Sequence, residues 1–245
     1  MHITAHHAPK AGNTEAEYED AYRVAPPPQA VEGGVRVVVA DGASESLLAG
    51  RWAGLLADAF ADAPDEVCTE PARFAAGAAT AAAAWPDVVA GYVAEREERG
   101  KPLQWYERPG MARGAFATLL AVTVDETGWR AAAVGDTCLF HVRDGELLTA
   151  FPLDDPEAFG TAPPLLGSRD LDPALVAERA RMASGELAPG DVLYACTDAL
   201  AAWVLAQTAP WDTLDRPGFA AWLDAERTAE RMANDDVTLV RVAPR

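Results

Sequence analysis

The sequence predicts a single α+β domain in which antiparallel strands pack against helices. Short apolar runs separated by turn residues follow one another over residues 115–151, which is typical of an antiparallel meander. Two stretches, 44–60 and 71–98, have the spacing or the Ala-rich composition of helices. No repeat or low-complexity linker divides residues 1–245, and half of the residues are hydrophobic, so that one core can form.

The N-terminal segment is predicted to be mostly irregular. Residues 1–34 are punctuated by Pro and Gly, with one short element at Tyr18–Val24. The run Val35–Ala40, apolar apart from Arg36, then has the length of a buried strand.

Two helices are expected next. Ser44 or Ser46 is expected to cap the first of them. The second, from Pro71 to Glu98, is expected to be kinked or split at Trp85-Pro86, because proline lacks the amide donor and clashes with the preceding turn. The chain that follows, up to Gly110, is interpreted as an exposed helix end and a loop.

From Gly114 onward the pattern changes to that of strands. The predicted strands are Ala115–Val124, Trp129–Val134, Cys138–Val142 and Glu146–Phe151, with a tight hairpin turn at Asp144-Gly145. The proline-rich stretch 154–173 predicts a long loop, a kind of segment that often covers a functional site. The remaining elements are a strand at Val192–Thr197, helices at Ala199–Ala206 and Phe219–Arg231, and a strand at Val237–Val242.

Composition excludes some classes of function. The chain has 20 Lys and Arg against 38 Asp and Glu, a formal net charge of -18. Such a surface disfavours binding to nucleic acid or to an anionic membrane. Cys68, Cys138 and Cys196 form no CxxC pair, and we interpret them as buried thiols in a reducing compartment. Without an apolar signal segment or a run of roughly 18 apolar residues, we expect a cytoplasmic protein.

Acidic residues at the ends of apolar runs are the most informative feature of the chain. There are five of them: Asp20, Asp41, Asp136, Asp198 and Asp235. A carboxylate at a strand end is held by the sheet while its oxygens point outward. Several that converge would repel one another unless a divalent cation neutralised them. The sequence therefore predicts a hard-metal site assembled from distant segments.

The same residues belong to an ordered set of motifs between about residues 10 and 242. The motifs are Glu19-Asp20-Ala21, Asp41-Gly42, Gly114 to Thr118, Val134 to Thr137, Thr197-Asp198-Ala199 and Asp235 to Thr238. In this order they resemble the metal-dependent protein phosphatase family, type 2C, as a divergent bacterial-type member. The resemblance implies a four-layer α-β-β-α sandwich of two antiparallel sheets flanked by helices.

The resemblance also implies an activity that would serve signalling. It is the hydrolysis of phosphoserine and phosphothreonine on proteins, with two Mg²⁺ or Mn²⁺ ions and a bridging hydroxide as the nucleophile. By similarity, Asp41 bridges the ions and the Gly42 carbonyl reaches one, while Asp198 and Asp235 hold the other. Glu19 and Asp20 would act directly or through water, and Asp136 with Asp198 would form a looser third site.

The sequence departs from the family pattern at four points. A Gly-Gly pair is replaced by Ala43-Ser44-Glu45, and a frequent His is replaced by Ala43, so that water, His6 or His7 would protonate the leaving group. The phosphate-binding Arg has no counterpart; Lys10 is the candidate, although it lacks the bidentate fork of Arg. Ala202 replaces an Asp of the third metal site.

Ordinary structural roles remain open for several of these residues. Asp198 could cap a helix, Asp236 competes with Asp235, Glu19 and Asp20 could belong to a solvated acidic face, and Asp136 could be structural. Two other functions also remain open: a phosphoprotein-binding pseudophosphatase, and a phosphatase of a small phosphorylated metabolite. The sequence identifies neither the substrate nor the cognate kinase, and it does not indicate the oligomeric state.

Overall fold

Two antiparallel sheets lie face to face, and helices cover their outer faces. The computed structural model describes residues 1–27, 34–160, 162–208, 210–214 and 218–244. The strands are β1 (His2–Ala8), β2 (Ala21–Ala25), β3 (Val35–Gly42), β4 (Phe116–Asp125), β5 (Gly128–Val134), β6 (Cys138–Arg143), β7 (Glu146–Phe151), β8 (Leu166–Gly167), β9 (Arg181–Gly185), β10 (Val192–Cys196) and β11 (Val237–Ala243). The α-helices are α1 (Ala49–Ala61), α2 (Pro71–Glu98), α3 (Arg108–Arg113), α4 (Pro173–Arg179), α5 (Asp198–Leu205), α6 (Trp211–Leu214) and α7 (Phe219–Thr228).

Hydrogen bonding defines the order of the strands in each sheet. One sheet has the order β1-β11-β10-β6-β7, and the other has the order β2-β3-β4-β5-β9, with β8 paired to the start of β4. Neighbouring strands within each sheet run antiparallel. The predicted α+β class and the four-layer sandwich are therefore confirmed.

Three apolar layers hold these four layers together. Val37 and Val39 of β3 pack between the sheets. Val38 and Ala40 of the same strand pack toward α1 and α2. A third layer lies between the other sheet and the helices α5 and α7. Because β3 is covered on both faces, its sequence does not alternate, and before Asp41 it is apolar apart from the buried Arg36.

The predicted meander is present with shifts of at most one residue at the strand ends. Asp144 and Gly145 have φ angles of 52° and 81°, which are the left-handed values that a tight two-residue hairpin turn requires. The three cysteines are buried and free, as expected for thiols. No helix in the described part of the chain has the length and apolar character needed to cross a membrane.

The prediction for the N-terminal segment was wrong. His2–Ala8 forms a strand that pairs along its whole length with β11. This strand lies at a sheet edge and is mostly half-buried, so its sequence lacks the apolar run that identifies a core strand. The short element expected at Tyr18–Val24 is a strand at Ala21–Ala25. Residues 28–33 of the predicted irregular stretch lie outside the described residues.

Three expectations about helices also need correction. Helix α2 is continuous through Pro86, which is exposed, so water can reach the backbone that proline leaves unpaired. Neither serine caps α1, which begins after Leu48; Ser46 Oγ instead donates to the Ala43 carbonyl at 2.8 Å. The loop expected up to Gly110 contains the start of α3, and the loop expected over 154–173 contains β8.

Candidate metal centre

A cavity of about 510 Å³ opens at one edge of the sandwich, and we call it the acidic cavity. Glu45 and four aspartates line it; the aspartates are Asp41, Asp136, Asp198 and Asp235. They come from the end of β3, the turn between β5 and β6, the start of α5 and the loop before β11. The structure therefore brings together four of the five acidic residues that the sequence singled out.

The end of β3 positions Asp41 and Gly42. Asp41 lies opposite Thr118 in the register of β3 and β4, and Thr118 also lines the cavity. A Cβ atom on Gly42 would lie 2.5 Å from the backbone oxygen of Glu19 and 2.8 Å from the backbone carbon of Ala49. Only glycine allows this close approach, which brings the first acidic segment against the strand that carries Asp41.

A second glycine explains why two of the motifs occur together. Gly135 has a φ of 104°, and a Cβ atom on it would lie 2.4 Å from Cβ of Thr118. The hydroxyls of Thr118 and Thr137 are hydrogen bonded at 2.7 Å. Gly114 to Thr118 and Val134 to Thr137 are thus two sides of one contact, which fixes the turn that carries Asp136.

Asp20 lies buried behind the lining of the cavity. Thr238 Oγ1 donates a hydrogen bond to Asp20 Oδ2 at 2.8 Å, and this hydroxyl therefore accepts from the Tyr18 hydroxyl. The other oxygen, Asp20 Oδ1, is buried and has no hydrogen-bond partner. Asp20 is 5% exposed, so the solvated acidic face considered for it is excluded.

The two adjacent aspartates before β11 have different environments. Asp236 is buried and accepts hydrogen bonds from the backbone amides of Lys10 at 2.8 Å and Glu19 at 2.7 Å. Asp235 lines the cavity, and the Arg227 guanidinium donates to its backbone carbonyl at 2.6 Å. The Asp236 side chain thus has a structural role, whereas Asp235 faces the cavity.

Asp198 occupies the first turn of α5. The N-cap residue of this helix is Thr197, and Asp198 is its first helical residue. The Thr197 hydroxyl accepts the backbone amide of Thr238 at 3.0 Å, which ties the start of α5 to β11. Asp198 therefore does not occupy the N-cap position considered for it, and it lines the cavity instead.

Burial and mutual repulsion raise the pKa values of these carboxyls. The pKa of Asp136 is raised to about 7, first by burial and then by the charge of Asp198. Burial, followed by repulsion from Asp20 and Asp198, raises the pKa of Asp41 well above its usual value. Burial is also the main cause that raises the pKa of Asp20 and of Asp198. Burial and mutual repulsion make the ionised form of these carboxyls unfavourable, and a bound cation would offset their negative charge.

The donor set fits a hard divalent cation. All of its side-chain atoms are carboxylate oxygens, which suit Mg²⁺ or Mn²⁺, and Asp20 has an oxygen without a partner. Within the described residues, no three His, Cys, Asp or Glu side chains are already gathered as a coordination group.

Several predicted site residues lie outside the lining of the cavity. The Glu19 carboxylate lies 3.6 Å from the Lys10 ammonium, and this ammonium donates to Ser44 Oγ at 2.8 Å. Lys10 is thus at the mouth, because Ser44 lines the cavity. His6 stacks on Phe219 and His7 approaches Tyr18 and Tyr22. Neither histidine is among the described residues that line the cavity.

The walls of the cavity come partly from segments that the sequence left without a role. Gly160, Pro163 and Leu165, from the stretch predicted as a covering loop, form one side. Gly110 and Arg113, at the end of α3, form another. Sequence reasoning missed Arg113, since an isolated Arg in a segment interpreted as a loop carries no signal.

Comparison with solved structures identifies the fold. The catalytic domain of the serine/threonine protein phosphatase PstP, in complex with two manganese ions, matches with a TM-score of 0.59 and 20% identity over 98% of this chain and 96% of that one. The Mycobacterium tuberculosis phosphatase PstP/Ppp matches with a TM-score of 0.59 and 18% identity over 100% and 99%. PppA, a regulatory component of the type VI secretion system in Pseudomonas aeruginosa, matches with a TM-score of 0.56 and 19% identity over 99% and 96%.

The sequence comparisons identify no relative. No protein-family model and no curated protein matches the chain. The fold of the type 2C phosphatases, which the motif order implied, is thus confirmed from structure at low sequence identity.

Proposed function

We propose that this chain, which has the fold of the metal-dependent protein phosphatases of type 2C, hydrolyses phosphoserine and phosphothreonine on proteins with Mg²⁺ or Mn²⁺. One observation carries the proposal: four aspartates from separate segments line one cavity, with the unpartnered oxygen of Asp20 behind them. A phosphoprotein is then its partner, and signalling in the cytoplasm is its setting.

The proposed cation ligands are the strand-end carboxylates. Asp41, Asp198 and Asp235 would hold two ions, with Asp20 and the Gly42 carbonyl in support and Asp136 beside them. Two bound divalent cations would lower the pKa of water, so that it can attack phosphorus at neutral pH, and would offset the charge of the phosphoryl oxygens.

The residues around the cavity position the carboxylates, and the open cavity admits water. Thr238 orients Asp20 by donating a hydrogen bond to one of the two carboxylate oxygens. Gly135 and Thr118 fix the turn that carries Asp136. No histidine is among the described residues that line the cavity, so we propose that water entering the open cavity protonates the leaving alkoxide. Glu19 acts from outside the lining, through its ion pair with Lys10.

Electrostatics makes metal dependence a necessary part of the proposal. A phosphomonoester is an anion, and the lining contributes five carboxylates, those of Glu45 and of four aspartates, in a chain of net charge -18. Without cations, the cavity would repel the group that it is proposed to bind.

The test is hydrolysis of a phosphothreonine peptide with Mn²⁺, followed as released phosphate. We expect wild-type turnover to fall at least about 100-fold in Asp41→Asn, since a lost metal ligand removes most transition-state stabilisation. Asp58→Asn is the matched control, because Asp58 is exposed on α1 in an ion pair with Arg23. Absence of turnover by the wild type with Mn²⁺ or Mg²⁺ would exclude the proposal.

A phosphoprotein-binding pseudophosphatase is the second candidate. It is favoured by the lack of a preassembled coordination group in the described residues and by Ala43, which follows Asp41-Gly42 where the family often has a His. Calorimetry separates the two functions: saturable binding of the phosphopeptide without release of phosphate supports the binding protein. A panel of small phosphorylated metabolites, run beside the peptide, identifies the remaining alternative.

A further inference from the structure

Among the described residues that line the acidic cavity, Arg113 is the only Lys, Arg or His. We propose that Arg113 binds the phosphoryl group of the substrate through its guanidinium. The inference rests on the proposed function, and it assigns the anion-binding role to the last residue of α3 rather than to Lys10 near the N-terminus.

The backbone that carries Arg113 is held at both ends. Glu107, just before α3, accepts two hydrogen bonds from the Arg96 guanidinium at 2.9 and 3.2 Å. After α3, Gly114 has a φ of 82°, and a Cβ atom on it would lie 2.7 Å from Ser168 Oγ. Ser168 Oγ accepts the Ala115 amide at 2.9 Å. Arg113 therefore extends from a fixed point on the wall of the cavity.

No described residue pairs with the guanidinium of Arg113. Its side chain is exposed, and no ion pair or hydrogen bond joins it to another described residue. Lys10 differs, because its ammonium is already engaged by Ser44 and Glu19. In a chain with 38 acidic residues, a free arginine on the wall of this cavity remains available to an incoming anion.

Arginine is also the side chain suited to the task. Its planar guanidinium donates two parallel hydrogen bonds to phosphoryl oxygens, and it stays charged at all physiological pH values. The rival role is that of a counter-charge to the carboxylates. In that role, loss of Arg113 would change the affinity for the cation and leave phosphate binding unaffected.

The experiment compares Arg113→Ala, Arg113→Lys and wild type. Arg108→Ala is the matched control, since Arg108 is exposed on the same helix and is absent from the lining. Each protein is titrated with Mn²⁺ by calorimetry, and the Mn²⁺-loaded protein is then titrated with inorganic phosphate. Steady-state kinetics follow with p-nitrophenyl phosphate and with a phosphothreonine peptide.

We expect Arg113→Ala to weaken phosphate binding about 10-fold or more, as for loss of a hydrogen bond between charged groups. Its KM should rise by the same factor for both substrates, and Arg113→Lys should fall between. Affinity for Mn²⁺ should not decrease, and Arg108→Ala should match wild type.

Each outcome is decisive for one hypothesis. Unchanged phosphate binding in Arg113→Ala, or no phosphate binding by the Mn²⁺-loaded wild type, overturns the role of Arg113. A KM increase confined to the peptide also overturns it, because contact would then be with a neighbouring part of the peptide. If the wild type binds phosphate but hydrolyses neither substrate, the proposed function fails, and the phosphate titration alone decides the role of Arg113.

Discussion

Asp236 accepts a hydrogen bond from the backbone amide of Glu19 at 2.7 Å, although the two residues lie 217 positions apart. The same carboxylate accepts the Lys10 amide at 2.8 Å. The C-terminal pair of aspartates thus has two tasks: Asp236 fastens the N-terminal acidic segment, and Asp235 is left free to face the cavity. This division predicts opposite consequences for substitution of two adjacent, identical residues.

Asp236→Ala is expected to destabilise the fold, and Asp235→Asn is expected to leave it intact. Loss of the Asp236 carboxylate leaves two amides without an acceptor, at a cost of about 3 kcal/mol in the free energy of unfolding. Asp235→Asn retains the oxygen that accepts the Asp236 amide at 2.9 Å, and its unfolding free energy should change by less than about 1 kcal/mol. Urea unfolding without metal measures both.

Calorimetric titration with Mn²⁺ completes this comparison. Asp235→Asn should bind the ion at least about 10-fold more weakly, since a neutral amide replaces a charged ligand. Asp236→Asn, which keeps one accepting oxygen, should have an intermediate stability. The division of roles is contradicted if Asp236→Ala unfolds like wild type, or if Asp235→Asn keeps full affinity for Mn²⁺.

Gly42→Ala tests the close approach between β3 and the first acidic segment. The added Cβ would lie 2.5 Å from the Glu19 carbonyl oxygen, so the backbone must shift, at a cost of about 2–3 kcal/mol in unfolding free energy. Gly54→Ala is the control, because its Cβ would meet no atom within 4 Å in the middle of α1. There, alanine should stabilise the helix by about 0.5–1 kcal/mol. Equal effects of the two substitutions, measured by urea unfolding, would refute the contact.

Local patterns in the sequence were sufficient for much of the fold and for the main carboxylates. The apolar run Val37–Ala40 marks a strand covered on both faces, and the charged side chain of Asp41 marks the end of this run in the sequence. The turn at Asp144-Gly145 is equally local, because left-handed φ angles select these residues. Such features need no knowledge of distant segments.

Features that depend on distant pairing could not be predicted in this way. Strand β1 is defined by its partner β11 and has no apolar run of its own. The choice between Asp235 and Asp236 depends on where the Lys10 and Glu19 amides lie. The position of Arg113 depends on the neighbouring residues Gly114 and Ala115, which contact the distant Ser168.

The free energy of unfolding should depend on pH through Asp191, which forms an ion pair with Arg143. Hydrogen bonds from Arg143, together with those from the Ala188 amide and His141, hold the pKa of Asp191 well below its usual value. A lowered folded-state pKa contributes stability above the unfolded value near 4, and this contribution is lost as the pH falls toward the folded value.

Asp191→Asn should therefore be less stable than wild type by about 2 kcal/mol at pH 7. The difference should shrink as the pH falls from 4 toward 2. Urea unfolding at pH 7 and at pH 3 measures it, with Asp58→Asn as a control that should stay within about 1 kcal/mol of wild type, as is usual for an exposed ion pair. A difference that is constant over this range would contradict the assignment.

Divalent cations should stabilise the folded chain through Asp41. At a free Mn²⁺ concentration of 100 times the dissociation constant, the unfolding free energy should rise by about 2.7 kcal/mol. Asp41→Asn should lose most of this increase. Without metal, the same variant should be at least as stable as wild type, because the substitution removes a carboxylate whose charge is opposed by burial, by Asp20 and by Asp198. Thermal unfolding with and without Mn²⁺ measures both effects, and an equal shift in wild type and Asp41→Asn would remove Asp41 from the proposed metal site.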